Sequence, residues 1–269
     1  LACRASRLSR RKIINNLSLP HSKKGGRFYF LEKKERLMKD QFHKIKIRDW
    51  TEPQAHSSWQ IFKIMAEFVD GFENLSRIGP CISIFGSART QPGSHYYELT
   101  VELASKLAKE GFGIISGGGP GIMEAANKGA NLAGGRSVGL NIDLPFEQHF
   151  NAYIDTDKNL NFDYFFVRKV MFTKYAQGFV MMPGGWGTMD EFFEVATLIQ
   201  TRKFTQTPLV CMGSKYWCGL FDWMRTVMLE QESNISPGDL DLVKIFDTPD
   251  EVVNYILEFY THNKLKPNF

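Results

Sequence analysis

What this chain lacks narrows its options early. No stretch approaches the roughly 18 consecutive apolar residues of a membrane-spanning helix, so no membrane partner is expected. Cysteine is scarce: Cys3, Cys81, Cys211 and Cys218 show no metal-ligand spacing, and Cys81 and Cys211 lie in apolar runs. That usage points to reduced thiols and a cytoplasmic setting rather than a disulfide framework. The histidines, His21, His43, His56, His95, His149 and His262, are likewise unpaired at ligand spacing, so no metal is assigned. No lysine follows a glycine loop in the Walker manner, which argues against triphosphate hydrolysis, and Gly86-Ser87-Ala88 does not give the dinucleotide fingerprint. No cofactor is expected. Internal repeats and low-complexity linkers are also missing.

Charge is unevenly spread. Of 33 basic and 29 acidic residues, positions 1 to 48 hold 15 Lys/Arg and 3 Asp/Glu, leaving 18 basic and 26 acidic residues beyond. A basic head of this kind can bind nucleic acid or a membrane surface, or direct targeting. It lacks a secretory apolar core, and Met38 opens a stretch that reads as an ordinary protein beginning. Residues 1 to 48 are therefore expected to be a disordered or non-native extension, with no nucleic acid as partner, and residues 49 to 269 to form one domain.

Within that body, Trp59, Phe62, Ile64, Met65, Phe68, Val69 and Phe72 recur near helical spacing, predicting an amphipathic helix over 54–76. From Cys81 onward short apolar runs alternate with helical patterns. Strands are expected at 81–85, 112–115, 137–140, 178–182, 208–212 and 242–246. Helices are expected near 94–109, 121–133, 163–175, 188–201, 215–230 and 249–260. Strands of four to six apolar residues separated by helices pair in parallel through right-handed crossovers. The expected fold is α/β: a Rossmann-like, doubly wound parallel sheet with helices on both faces and an extra amino-terminal helix. The polar segment 141–162 reads as a long loop at a strand end, where such loops line the ligand crevice.

Three glycine or serine turns follow strands, and in an open parallel sheet the carboxyl ends of strands face one crevice. They are Phe85-Gly86-Ser87-Ala88-Arg89, Ser116-Gly117-Gly118-Gly119-Pro120-Gly121 and Pro183-Gly184-Gly185-Trp186-Gly187-Thr188. Glycines let backbone approach an anion closely, and the unpaired amides and dipole of a helix start favour phosphate there. Glycines also serve tight packing, so one such turn is weak evidence and three together are stronger. Glu191 lies one turn into the helix after the third. Thr188-Met189-Asp190-Glu191 also fits a capping box, and spacing alone favours that role. Its place beside a phosphate loop, where a carboxylate would repel the ligand, favours a chemical one. Asp190 points about 100° away and reads as a solvated dipole partner. Arg168 and Lys169 sit among Phe165, Phe166, Phe172 and Tyr175; Arg168 is either a snorkelling cation or a fork for phosphate and sugar oxygens.

With the Arg168-Lys169 pair, Ser116-Gly117-Gly118-Gly119-Pro120-Gly121-Ile122-Met123-Glu124-Ala125 and Pro183-Gly184-Gly185-Trp186-Gly187-Thr188-Met189-Asp190-Glu191, the chain over about residues 54 to 260 resembles the Lonely Guy family. These are cytokinin-activating nucleoside 5′-monophosphate phosphoribohydrolases, and the amino-terminal helix and the G-G-G-P-G-I-M-E form resemble the longer bacterial branch. The resemblance implies that Arg168 and Glu191 are the catalytic pair and that Gly184, Gly185, Gly187 and Thr188 hold the 5′-phosphate. It also implies substrate contacts at Glu147, Lys169 and Thr197, while the first two turns themselves make Ser87, Gly118 and Gly119 candidate substrate contacts. Trp186 stands where members often have Tyr or Phe, and Asp190 where they often have Glu.

The implied reaction is hydrolysis of the N-glycosidic bond of AMP or an N6-modified AMP, giving free base and ribose 5-phosphate. A homodimer or larger homo-oligomer, with sites near the subunit interface, is implied as well. The alternative is a non-catalytic protein of related fold that binds a nucleotide or molybdenum cofactor. A lysine decarboxylase finds no support, because no Schiff-base lysine stands out beside the phosphate turns.

Overall fold

Seven short strands form a single sheet in the computed structural model, which describes residues 54–143 and 150–268. The basic head, Glu147 and His149 therefore lie outside the described residues. The strands are β1 (Cys81–Phe85), β2 (Gly113–Ser116), β3 (Ser137–Ile142), β4 (Asn159–Phe162), β5 (Ala176–Met181), β6 (Leu209–Met212) and β7 (Val243–Phe246). The helices are α1 (Gln54–Leu75), α2 (His95–Lys109), α3 (Ile122–Leu132), α4 (Phe165–Tyr175), α5 (Trp186–Gln200), α6 (Ser214–Trp223) and α7 (Pro249–His262). All strand pairs are parallel, in the order β4-β3-β2-β1-β5-β6-β7. The chain winds outward from β1 to β4 and then restarts on the other side of β1 with β5. The carboxyl ends of β1 and β5 thus flank the switch point where such sheets open a crevice.

Alternation along each strand divides the core into two layers. Ile82 and Ile84 of β1 face α2, α3 and α7, packing with Leu103, Leu107, Ala126 and Ile256. Cys81 and Phe85 point the other way, toward α1, α4, α5 and α6, with Leu75, Phe172, Phe192 and Trp217. Burial on both faces explains why β1, β5 and β6 read as largely apolar runs. Burial also pushes the Cys81 thiol up to about 12, so it acts as a small core side chain.

Three boundaries depart from the sequence expectation. The polar segment 141–162 contains β4, an edge strand in register with β3, whose Asn159-Leu160-Asn161-Phe162 has little β propensity of its own. Asn141 holds it in place, donating to the Asn159 side chain and, at 3.2 Å, to the Leu160 carbonyl. β5 begins directly after α4, with no intervening turn residue. The third helix-start of interest, α5, begins at Trp186 rather than Thr188.

Helix α1 helps to fix α4, which carries Arg168 and Lys169. The Glu67 carboxylate accepts from the backbone N–H groups of Asp163 (2.8 Å) and Tyr164 (3.4 Å), satisfying amides at the start of α4. Gly71 lets the helices approach, since a Cβ there would lie 2.7 Å from Met171. The outer side of α1 leaves Ile61, Phe62, Met65 and Val69 more than half exposed.

Candidate functional site

A crevice of about 1190 Å³ opens over the carboxyl ends of β1, β2, β3 and β5, and all three glycine turns reach it. The first and third turns are tied together: Ser87 N–H donates to the Pro183 carbonyl (3.1 Å), and Met182 N–H to that of Phe85 (2.8 Å). The second joins them through Ile122 N–H, which donates to the Ser87 carbonyl at 3.0 Å. Ser87 and Gly119 line the crevice. Gly118 sits behind the lining with a left-handed φ of 76°, and a side chain there would run into the Asn141 carboxamide.

A buried polar network shapes the second turn, and sequence reasoning missed it. Asn151 donates from its side chain to the carbonyls of Gly118 (3.0 Å) and Gly119 (3.1 Å) and to Asn127 Oδ1 (2.9 Å). Asn127, fully buried, also accepts from Ser116 Oγ and donates to Ser137 Oγ (3.0 Å). A lone asparagine in a polar segment carries no periodic signal, so nothing in the sequence marked Asn151.

The third turn separates packing glycines from open ones. A Cβ on Gly184 would overlap the Thr188 side chain, so that glycine is needed for the turn to close; Tyr216 Oη donates to its carbonyl. Gly185 and Gly187 have nothing within 4 Å of where a Cβ would stand, and both line the crevice. Packing does not explain them. Gly185 is the N-cap, and the first backbone bond back to its carbonyl comes from Met189 N–H at 3.0 Å. The amides of Trp186, Gly187 and Thr188 therefore belong to the first turn, where a helix has no internal acceptor for its N–H groups. Together with the dipole of a 15-residue helix, they make an anion seat.

That N-cap overturns the capping-box expectation for Glu191. Thr188 lies inside the helix, not at its cap, so Glu191 has no cap amide to reach back to. Glu191 is instead only 5 % exposed, and its Oε2 accepts no hydrogen bond from any described residue. Burial pushes its carboxyl up to about 7; Lys169 and Arg168 pull it down, Glu194 and Asp190 push it up.

Arg168 also lines the crevice. Its guanidinium lies 5.2 Å from the Phe165 ring centroid and 5.6 Å from that of Phe172, and Nη1 donates to the Leu140 carbonyl at 3.4 Å. The same Nη1 is 3.9 Å from where a Gly117 Cβ would be, which sets the cation beside the second turn. Lys169 turns away toward α5, where Nζ meets Asp190 Oδ2 (2.7 Å) and Glu194 Oε2 (2.9 Å). Asp190 is thus an ion-pair partner as well as a half-solvated carboxylate. Thr188 lines the crevice, whereas Thr197 is exposed farther along α5 and donates to its own helix at the Phe193 carbonyl (2.7 Å). The rim is aromatic: Trp186 is 93 % exposed, beside Phe150 and Phe165. Among the described residues no group of three or more His, Cys, Asp or Glu is placed to hold a metal ion, and no helix is long and apolar enough to cross a membrane.

A family described as possible lysine decarboxylase matches residues 123–256, the stretch that holds Arg168, the third turn and Glu191. Cytokinin riboside 5′-monophosphate phosphoribohydrolase LOG3 of Arabidopsis thaliana is 22 % identical over 179 residues, covering 66 % of this chain and 82 % of that relative. The enzyme of that activity from Mycobacterium tuberculosis is 32 % identical over 101 residues, covering 37 % of this chain and about half, 54 %, of its own length. Among solved structures, the Moco carrier protein from Chlamydomonas reinhardtii aligns over 69 % of this chain and 99 % of that one, at 20 % identity and a TM-score of 0.49.

Proposed function

Because the chain belongs to the Lonely Guy family, the one described as possible lysine decarboxylase, we propose that its crevice hydrolyses the N-glycosidic bond of a purine nucleoside 5′-monophosphate. The products are free base and ribose 5-phosphate, and AMP or an N6-modified AMP is the substrate class. One observation carries the reading: a buried carboxylate, Glu191, whose Oε2 is unbonded by described residues, stands in the same crevice as an open anion seat at Gly185 and Gly187.

The chemistry follows from charge. Breaking the bond between C1′ and the base develops positive charge on the ribose, as in other glycoside hydrolyses. A carboxylate in a buried site stabilises that charge strongly, because little solvent screens it. Glu191 also takes a proton from the attacking water as its oxygen bonds to C1′; the base departs with the electron pair of the broken bond and takes a proton from solvent, to which Glu191 returns its own. The phosphate, held by the α5 amides and by Arg168, supplies remote binding energy that places the sugar against Glu191. A carboxyl titrating near 7 suits a base that works at neutral pH. Since the ionised form is the active one, kcat/KM rises with pH through about 7 on its acid side.

The test is direct. The protein is incubated with AMP and with isopentenyl-AMP, and free base is followed by chromatography. Glu191→Ala should lower turnover by at least about 100-fold while nucleotide binding survives, and Arg168→Ala should damage both. Nucleotide binding without base release by the unaltered protein would refute the reading and leave a carrier or sensor. Assembly as a homodimer or larger homo-oligomer belongs to the same proposal. What supports it is the exposed apolar side of α1, which a second copy would cover.

A further inference from the structure

Lys169 follows Arg168 in sequence, but a step of about 100° around α4 sends it to a different place. Arg168 faces the crevice. Lys169 is drawn between α4 and α5, its side chain 16 % exposed, with Nζ bonded to both Asp190 and Glu194. Those carboxylates stand one residue before and three residues after Glu191. Three acids thus crowd one and a half turns of α5, and one ammonium serves two of them.

An ion pair of this kind can act as a clasp between helices, and exposed pairs contribute little to stability. A clasp does not account for its position beside the one carboxyl of the three that no described residue bonds at Oε2. Lys169 acts on Glu191 in two ways. Its own charge favours the carboxylate form, and by pairing with Asp190 and Glu194 it offsets two negative neighbours that disfavour that form. We propose that Lys169 is a positioning residue rather than a substrate contact: by bridging Asp190 and Glu194 it keeps Glu191 in its carboxylate form for the reaction.

This inference rests on the reading of Glu191 as the reacting carboxylate. The charged groups that act on Glu191 are Lys169 and Arg168 from α4, and Asp190 and Glu194 from its own helix. On the α6 side stands the Tyr216 hydroxyl, which donates to the Gly184 carbonyl. Burial of Lys169 works against its charge, but its bonds to Asp190 and Glu194 outweigh this and hold the ammonium above its ordinary value. It therefore stays a cation across the whole range in which Glu191 titrates.

The experiment compares Lys169→Met, Lys169→Arg and the double variant Lys169→Met with Glu194→Gln. In Lys169→Met the acid side of the kcat/KM profile should move up by about one pH unit, with roughly tenfold lower activity at pH 6 recovering toward pH 9. Lys169→Arg, which keeps the charge, should hold the profile near its original place. The double variant removes one of the two uncompensated acids, so it should move the profile part of the way back. A Lys169→Met profile lowered equally at every pH, or a double variant worse than the single one, would overturn the proposal and leave a clasp. Carbon-13 NMR titration of the Glu191 carboxyl in nucleotide-free protein, its signal identified by loss in Glu191→Gln, reads the same displacement without turnover. If no nucleotide is hydrolysed, the functional reading fails, while the NMR titration still decides the role of Lys169.

Discussion

Replacing Glu191 by glutamine should stabilise the protein while it stops the chemistry, and the stabilisation should grow with pH. Burial raises this carboxyl from the ordinary 4.5 to about 7, so the folded protein holds the proton more tightly than the unfolded chain. Below 4.5 both states are protonated and the group is neutral to stability. As pH rises from 4.5 toward 7 the unfolded chain ionises first, and the native state loses stability until both states are ionised. Between pH 5 and pH 8 this difference amounts to roughly 2 to 3 kcal/mol, from the 1.36 kcal/mol carried by each pH unit of displacement. Glutamine has the same shape and does not titrate, so any fixed cost of its amide appears equally at both pH values. Urea unfolding of the two proteins at pH 5 and pH 8 therefore isolates the ionisation: the gap, variant minus original, should widen by roughly 2 to 3 kcal/mol. For a domain of this size that is roughly 5 to 10 °C in Tm. A gap that stays flat between the two pH values would refute the reasoning, because it would mean that Glu191 ionises in the folded protein as easily as in water.

Two further perturbations probe the walls of the crevice. Gly187→Ala adds a Cβ in open space and improves helix propensity by up to about 1 kcal/mol, so stability should hold or rise while nucleotide affinity falls about tenfold; unchanged affinity by calorimetry would remove the phosphate from that turn. Gly184→Ala should lose stability as well, because its Cβ overlaps the Thr188 side chain. Asn127→Ala leaves Ser116, Ser137 and Asn151 short of partners and should cost about 3 kcal/mol in urea unfolding; a loss below about 1 kcal/mol would show that the network does not hold the second turn.

The architecture was legible because parallel strands buried on both faces must read as apolar runs, and glycine turns punctuate their carboxyl ends. What escaped was polar. β4 pairs through asparagines whose side chains bond to its neighbour, so its signal lies in tertiary contacts rather than in propensity. Asn127 and Asn151 are buried beneath the second turn for the same reason, each matched to partners 10 or more residues away.

The candidate site shows a sharper limit, because one pattern occurs twice with opposite results. Thr248-Pro249-Asp250-Glu251 and Thr188-Met189-Asp190-Glu191 have the same T-x-D-E spacing at a helix start. At α7 the capping box is real: Glu251 N–H donates to Thr248 Oγ1 at 3.4 Å, and Thr248 N–H donates to Glu251 Oε2 at 3.0 Å. The hydrogen bonds from Thr248 hold the Glu251 carboxyl below its ordinary value, at the surface. At α5 the cap is Gly185, so the helix begins three residues earlier than a Thr188 cap would set it, at Trp186, which carries Thr188 inside and leaves Glu191 buried at the crevice. The local pattern therefore cannot distinguish a surface cap from a buried acid; the point where the backbone first turns helical does. Pro249 sets that point at α7, since proline favours the first helical position and fixes Thr248 as the cap. At α5 no proline fixes the threonine as the cap: Gly185 takes that place, and the helical residues Trp186 to Thr188 ahead of Met189 put Glu191 where burial can act on it.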